Sequence, residues 1–300
     1  MKITVIGNPV SGGGKTKIQV EKLAQVLRHQ GHLVEIFFTQ AAGDAGGRAS
    51  RIEPESGIVV VAGGDGTLNE VLNGMADPSR NPIALLPTGN ANVLARELGL
   101  PCTPEGVAEV IDRGIVRRLD MGLLGERRFL LLVSSGFDAM VTENIQRTRS
   151  GPLGSWGYLL PILRVLTSYR APKLKVTVDG QEVLKGAFVV VSNVRNYGGI
   201  FKIADQACCD SGRLDICVFP RGSIPALFRY ALYALRGRVS TLAEVAYRTG
   251  RTIRIESDQP VAVEVDGDYF GTTPVVIKLQ PASVPILVPE SPNVQAQHPS

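Results

Sequence analysis

Five consecutive residues, Gly63-Gly64-Asp65-Gly66-Thr67, combine three positions without a side chain with one carboxylate and one hydroxyl. Glycines at this spacing remove Cβ atoms where a backbone must come close to something. The run before them, residues 58–62 (IVVVA), has the β-branched character of a buried parallel strand, and after them Leu68, Val71, Leu72 and Met75 recur at helical spacing. A strand, a glycine turn and a helix start gather free backbone N–H groups at one point, which attracts an anion such as phosphate. Thr67 is the expected cap of that helix. Asp65 would repel a phosphate unless a cation lay between them, so a phosphate chain bridged by Mg²⁺ accounts for both the amides and the carboxylate. The plainer reading is a tight turn with an exposed aspartate.

Two further strand-turn-helix patterns bring polar groups to the same kind of edge. Residues 2–7 (KITVIG) read as an opening strand that runs into Asn8-Pro9-Val10-Ser11-Gly12-Gly13-Gly14-Lys15-Thr16. The closing GKT is not a Walker A loop, because the first glycine of that pattern falls on Pro9, which has no N–H to offer. Residues 82–87 form another expected strand, followed by Thr88-Gly89-Asn90-Ala91-Asn92 and a helix; Thr88 and Asn92 either cap that helix or touch a ligand. Thr39 closes an expected strand over 33–39, at the carboxyl end where ligands collect in open α/β sheets.

The elements that must hold these residues change character along the chain. Helices expected over 18–29, 42–51, after Thr67 and over 104–114 alternate with the strands and predict an α/β domain over residues 1–121. Beyond it, strand-like runs at 129–134, 173–178, 187–192, 214–219, 252–257, 261–265 and 275–279 are joined by turns such as Asp179-Gly180 and Asp266-Gly267. They predict an antiparallel β-sandwich domain over 122–288 with helices at 154–169 and 225–235. Both helices are apolar and edged by arginine, which suits either packing on a sheet or contact with an anionic membrane face. Residues 289–300 read as a disordered tail.

GGDGT followed directly by Leu68-Asn69-Glu70 resembles the signature of the diacylglycerol kinase catalytic family, the lipid and sphingoid-base kinases whose nucleotide-binding fold is shared with NAD kinases. The opening from Asn8 is similar to the family's NPxSGxxK, and residues 87–96 to its PxGTxNDxAR, with Asn90 in place of threonine and Val93 in place of aspartate. Asp120 fits the aspartate at the family's domain crossover, and Ser135-Gly136-Phe137-Asp138 its GxD turn. The resemblance implies a mostly parallel, NAD kinase-like first domain that binds ATP through Asn8, Thr39, Gly63, Gly64, Asp65, Gly66, Thr67, Asn69, Glu70, Thr88, Gly89, Asn90 and Asn92, with Mg²⁺ at Asp65. It implies that Asp268, in a DGE-like Asp266-Gly267-Asp268 turn, takes the proton from a lipid hydroxyl. Residues 204–215 resemble the PxAxxDDGxLD run that can hold a structural divalent ion; the matching positions are Cys208, Ser211 and Arg213, with main-chain carbonyls expected from Cys208 and Arg213. An NAD kinase and a non-catalytic nucleotide-binding regulator are the alternatives.

Composition narrows the class further. The net charge of +4 favours anionic substrates or an anionic membrane surface and gives no footprint for nucleic acid. Four cysteines without a CxxC pair and only three histidines supply neither a disulfide framework nor a zinc site, so a cytoplasmic setting is expected. No window of eighteen uninterrupted apolar residues predicts a membrane-crossing helix. The lipid acceptor, and the choice between monomer and homodimer, stay open.

Overall fold

The computed structural model describes residues 1–148 and 169–290. The helix expected over 154–169 therefore lies outside the described residues except for Tyr169, and the expected tail does so from residue 291 onward. Two compact units divide the chain: Met1–Leu119 with Ser283–Ser300, and Asp120–Ala282.

In unit 1, β1 (Lys2–Gly7), α1 (Thr16–His29), β2 (Leu33–Phe38), α2 (Asp44–Ala49), β3 (Ile58–Gly63), α3 (Asp65–Gly74), β4 (Ile83–Pro87), α4 (Val93–Glu97) and α5 (Pro104–Arg113) follow in order. The strands pair in parallel in the order β2-β1-β3-β4. β3 is buried at all six positions, as a strand covered on both faces must be. Ile58, Val60 and Ala62 join Ile3, Val5, Ala84 and Leu86 in a core closed by Val20, Leu23 and Leu27 of α1 and by Val107, Ala108 and Ile111 of α5. α2 and α3 pack on each other so closely that a Cβ on Gly74 would lie 2.2 Å from the Gly46 carbonyl oxygen. The chain runs from β1 to β2 on one side and returns to β3 on the other, so the carboxyl ends of β1 and β3 flank a topological switch point.

Unit 2 follows with β5 (Val116–Leu124, which begins in unit 1), β6 (Arg127–Phe129), β7 (Leu132–Ser135), α6 (Phe137–Thr148), β8 (Leu174–Val178), β9 (Glu182–Gly186), β10 (Phe188–Ser192), β11 (Asn196–Tyr197), β12 (Phe201–Lys202), β13 (Leu214–Phe219), α7 (Ile224–Leu235), β14 (Ala246–Gly250), β15 (Thr252–Ser257), β16 (Ala262–Val265), β17 (Asp268–Thr272) and β18 (Val275–Leu287). One antiparallel sheet runs β18-β15-β8-β9 and the other β14-β13-β10-β7-β16-β17. Alternate residues of both meet in one core: Leu174, Val176 and Val178 of β8 and Ile253 and Ile255 of β15 with Val189 and Val191 of β10 and Leu214, Ile216 and Val218 of β13. This period of two is the sandwich pattern expected from the sequence.

Three expectations need correction. The strand read over 129–134 is interrupted, because the N–H groups of Leu130, Leu131 and Leu132 turn to the Asp266 carboxylate, at 3.1, 3.0 and 3.0 Å. α6 was not anticipated; Gly136, at φ 113°, ends β7 and lets the chain turn into it. β18 continues past Pro281 and Pro285 to Leu287, where Ile286 pairs in parallel with Ile83 of β4 and residues 283–287 cluster with unit 1. Thr67 does not cap α3, which begins two residues earlier with Gly64 as its N-cap.

Candidate active site

Three loops at the carboxyl ends of β1, β3 and β4 meet backbone to backbone in unit 1. The Gly63 carbonyl accepts the N–H groups of Thr88 at 2.9 Å and Gly89 at 3.3 Å, and a Cβ on Gly89 would stand 2.5 Å from the Gly64 Cα. Gly12, at φ 58°, comes so near that its Cβ would fall 2.2 Å from the Thr88 carbonyl oxygen. Thr16 ties the first loop to the third, donating from Oγ1 to the Thr88 hydroxyl at 2.8 Å in a buried bond. Asn8 anchors the first loop to β3 by donating its N–H to the Ala62 carbonyl at 2.9 Å, and its side-chain oxygen accepts the Val10 N–H at 3.2 Å. Buried Thr39 is fixed to the end of β1, its N–H bonded to the Gly7 carbonyl at 2.9 Å.

Asp65 opens α3, where an acidic side chain also suits the positive end of the helix. Its carboxylate accepts the N–H of Val93 at 2.9 Å and of Leu94 at 3.2 Å, the first two residues of α4. Asn92 occupies the N-cap position of α4 in a left-handed conformation, φ 45°, yet makes no side-chain cap bond. Its amide instead donates to the Gly89 carbonyl at 2.7 Å. The cap that Asn92 could have supplied thus comes from Asp65, across 28 residues of chain. Asn92 Oδ1 is buried without a hydrogen-bond partner, and a Cβ on Gly89 would lie 2.7 Å from it.

An acceptor left unpartnered beside a carboxylate fits a cation or a donor brought by a ligand. Each Asp65 oxygen spends one lone pair on an N–H and keeps another, and Mg²⁺ is commonly held by one or two carboxylates together with substrate phosphates. The residues present therefore fit Mg²⁺ at Asp65. Gly63 faces the Thr67 side chain, whose Oγ1 a Cβ would meet at 2.5 Å, whereas Gly66 faces open space. Asn90 is exposed at the tip of the third loop. Asn69 and Glu70 sit further along α3: the Asn69 side-chain oxygen accepts the Asn73 amide at 3.2 Å, and Glu70 accepts the Gly43 N–H at 3.0 Å, fastening α3 to the start of α2.

Within unit 2, Asp268 begins β17 with a side chain 65% exposed and paired to Arg127 at 2.6 Å. Asp266, at φ 48°, is the hairpin turn residue expected of it, and its carboxylate is committed to the three N–H groups that interrupt the strand. The loop over 208–213 closes on itself: the Cys208 carbonyl accepts the Ser211 N–H at 3.1 Å, and the Arg213 carbonyl accepts the Ser211 hydroxyl at 3.0 Å. Asp120 holds it from outside. Buried in β5, Asp120 accepts the N–H of Gly212 at 2.6 Å and of Ala282 at 2.8 Å, and its own N–H bonds to the Cys209 carbonyl at 2.7 Å. Among the described residues no three Asp, Glu, His or Cys side chains form a group able to hold a metal.

Sequence reading missed a buried pair of acids. Ser134 Oγ lies 2.8 Å from Asp138 Oδ1 and 3.2 Å from Glu264 Oε1, and the Thr142 hydroxyl is 3.3 Å from Glu264 Oε2. Burial pushes both carboxyls up, and for Glu264 the neighbouring Asp138 charge adds to it. One serine hydrogen cannot serve two carboxylates, so a proton on one of the acids completes the chain. The alternating strand pattern of residues 262–265 gave no sign that Glu264 points inward, though a glutamate flanked by Val263 and Val265 on a fully buried strand was the available signal.

Known proteins resemble this chain in sequence and in fold. Residues 2–124 match the family description "Diacylglycerol kinase catalytic domain", and residues 131–288 match "YegS C-terminal NAD kinase beta sandwich-like domain". A Bacillus subtilis (strain 168) protein named diacylglycerol kinase is 27% identical over 277 residues, covering 90% of each chain. A Staphylococcus aureus (strain MRSA252) protein of the same name is 28% identical over 273 residues, covering 90% of this chain and 87% of that one. The crystal structure of a diacylglycerol kinase from Bacillus anthracis strain Sterne superposes with a TM-score of 0.75 at 28% identity, covering 96% of this chain and 97% of the other. The chain belongs to the diacylglycerol kinase family and is a kinase, a phosphotransferase with an alcohol acceptor.

Proposed function

We propose that the protein transfers the γ-phosphoryl group of ATP to the hydroxyl of a membrane lipid, diacylglycerol or a sphingoid base. The observation that carries this reading is the meeting of three glycine-bearing loops at the switch point of the parallel sheet, with the N-terminus of α3 among them. Backbone N–H groups at Gly64, Asp65 and Gly66 receive the phosphates, Asn8 and Thr88 define the neighbouring loops, and Asp65 is the side chain that would hold Mg²⁺. When bound, that ion neutralises phosphate charge. Asp268 accepts the proton of the acceptor hydroxyl as its oxygen bonds to the γ-phosphorus; the bond to the β,γ-bridging oxygen breaks and ADP departs. The lipid acceptor is supported by relatives named diacylglycerol kinase, which also weigh against an NAD kinase.

The test is one panel: purified protein, γ-labelled ATP and Mg²⁺ with diacylglycerol, sphingosine, monoacylglycerol or NAD in mixed micelles. Label in a lipid product, lost on chelation, is expected. Label in NADP alone, or ATP binding without transfer to any alcohol, would overturn the reading.

A further inference from the structure

Among the described residues, α7 is held to the sandwich by one face and its other face is uncovered. Leu227, Tyr230 and Ala234 are buried, and the Tyr230 ring packs on Phe188 and Phe219 at centroid distances of 5.9 and 4.9 Å. On the opposite side Ile224, Phe228, Leu232 and Leu235 are 56, 72, 38 and 54% exposed. At about 100° per residue these four fall within an arc of about 80°, and Arg229 and Arg236 follow on its polar flank. Ile200, in the turn between β11 and β12, is 64% exposed, and β12 contacts α7. No aspartate or glutamate occurs from Arg221 to Ala243, a stretch that holds four arginines. The Glu244 that follows is engaged by Arg221 at 3.7 Å and Arg229 at 3.3 Å.

We propose that this face of α7 docks the protein onto an anionic phospholipid bilayer, with the Phe228 stripe entering the acyl boundary and the arginines meeting the headgroups. The proposal rests on the lipid kinase reading, since an enzyme without a membrane-crossing helix among its described residues must reach its acceptor at a surface. Charge selects the occupant. A second copy of the same face would set arginine against arginine with only Glu244, already engaged by Arg221 and Arg229, to answer four of them, whereas an anionic bilayer supplies both apolar depth and negative charge. A helix of this length, about 18 Å, lies along the interface and does not cross it.

Co-sedimentation of the full chain with large vesicles tests this without turnover. The wild type is expected to pellet with vesicles of phosphatidylglycerol and phosphatidylcholine, not with phosphatidylcholine alone, and less as salt is raised. Phe228→Ser with Leu232→Ser, and separately Arg229→Gln with Arg236→Gln, should each weaken pelleting at least tenfold while transfer to a water-dispersed short-chain acceptor is unchanged. Variants that pellet like the wild type would overturn the proposal. So would loss of a dimer in sedimentation velocity with vesicle binding intact, which would assign the face to a second copy. Failure of the wild type to phosphorylate any dispersed alcohol would instead fall on the kinase reading.

Discussion

The Asp65 carboxylate caps the helix that begins at Val93, accepting its N–H at 2.9 Å and that of Leu94 at 3.2 Å. One side chain therefore joins the β3 and β4 loops and presents its remaining lone pairs to whatever lies between them. Asp65 is neither a spare turn residue nor a free metal ligand. These bonds fix its position, which would lower the ordering cost of binding a ligand there.

Gly66 and Gly89 separate ligand space from packing. A methyl group at Gly66 meets nothing within 4 Å, whereas at Gly89 it meets the Gly64 backbone at 2.5 Å. Gly66→Ala is expected to keep the melting temperature within a few degrees and raise KM for ATP about tenfold, because only a bound phosphate contests that space. Gly89→Ala should cost about 1–3 kcal/mol of stability by urea unfolding. Equal effects of the two on stability would contradict this division.

Asp268→Asn should lower kcat by about 10²–10⁴ and leave KM for ATP unchanged, as removal of a general base does. The exposed pair with Arg127 carries little stability, so the melting temperature should hardly move. A variant with wild-type kcat would remove Asp268 from the chemistry.

Asp120 fastens the loop over 208–213 to its surroundings through its own hydrogen bonds. Chelation is expected to stop turnover while leaving the melting temperature unchanged. Asp120→Ala, which takes the acceptor from the part-buried N–H groups of Gly212 and Ala282, should cost about 1–3 kcal/mol. A chelator that lowers the melting temperature would instead assign Cys208, Ser211 and Arg213 to a structural metal site.

Glu264 gives a pH signature. Its carboxyl is pushed well above the ordinary 4.5 by burial, so the fold favours the protonated form. That contribution is complete below about pH 4.5 and is lost as pH rises through the folded-state value. Glu264→Gln mimics the protonated acid, and its melting temperature should gain on the wild type as pH climbs from 4.5 to 8. A constant difference across that range would contradict the assignment.

Much of this was legible because the central strands advertise themselves. β1, β3 and β10 are uninterrupted β-branched or apolar runs, and the glycines that follow β1 and β3 mark where the chain must turn. β9, β14 and β17 were not read as strands. Each closes the end of a sheet, exposes part of its length and needs no apolar run. Pro281 and Pro285 concealed the length of β18 for a similar reason, since proline argues against a ladder that here is only partly paired. In the site, the residue types at 63–67 were readable, but the Asp65 cap spans 28 residues and the Asp120 contact with Gly212 spans 92, distances at which local pattern carries no information. The same holds for α7, whose sequence shows an apolar helix but not which face the sandwich leaves bare.

The central claim is that Asp65 serves chemistry beyond its capping bond, and comparing Asp65→Asn with Asp65→Ala in the lipid phosphorylation assay tests it most directly. Asparagine keeps one cap acceptor and loses the charge; alanine loses both. The account predicts that Asn stays within about 1 kcal/mol of wild-type stability while Ala loses about 1–2 kcal/mol, and that turnover falls at least a hundredfold in both. Wild-type turnover in the Asn variant would show that the carboxylate only holds two loops together, and the phosphate-binding role assigned to this turn would be wrong.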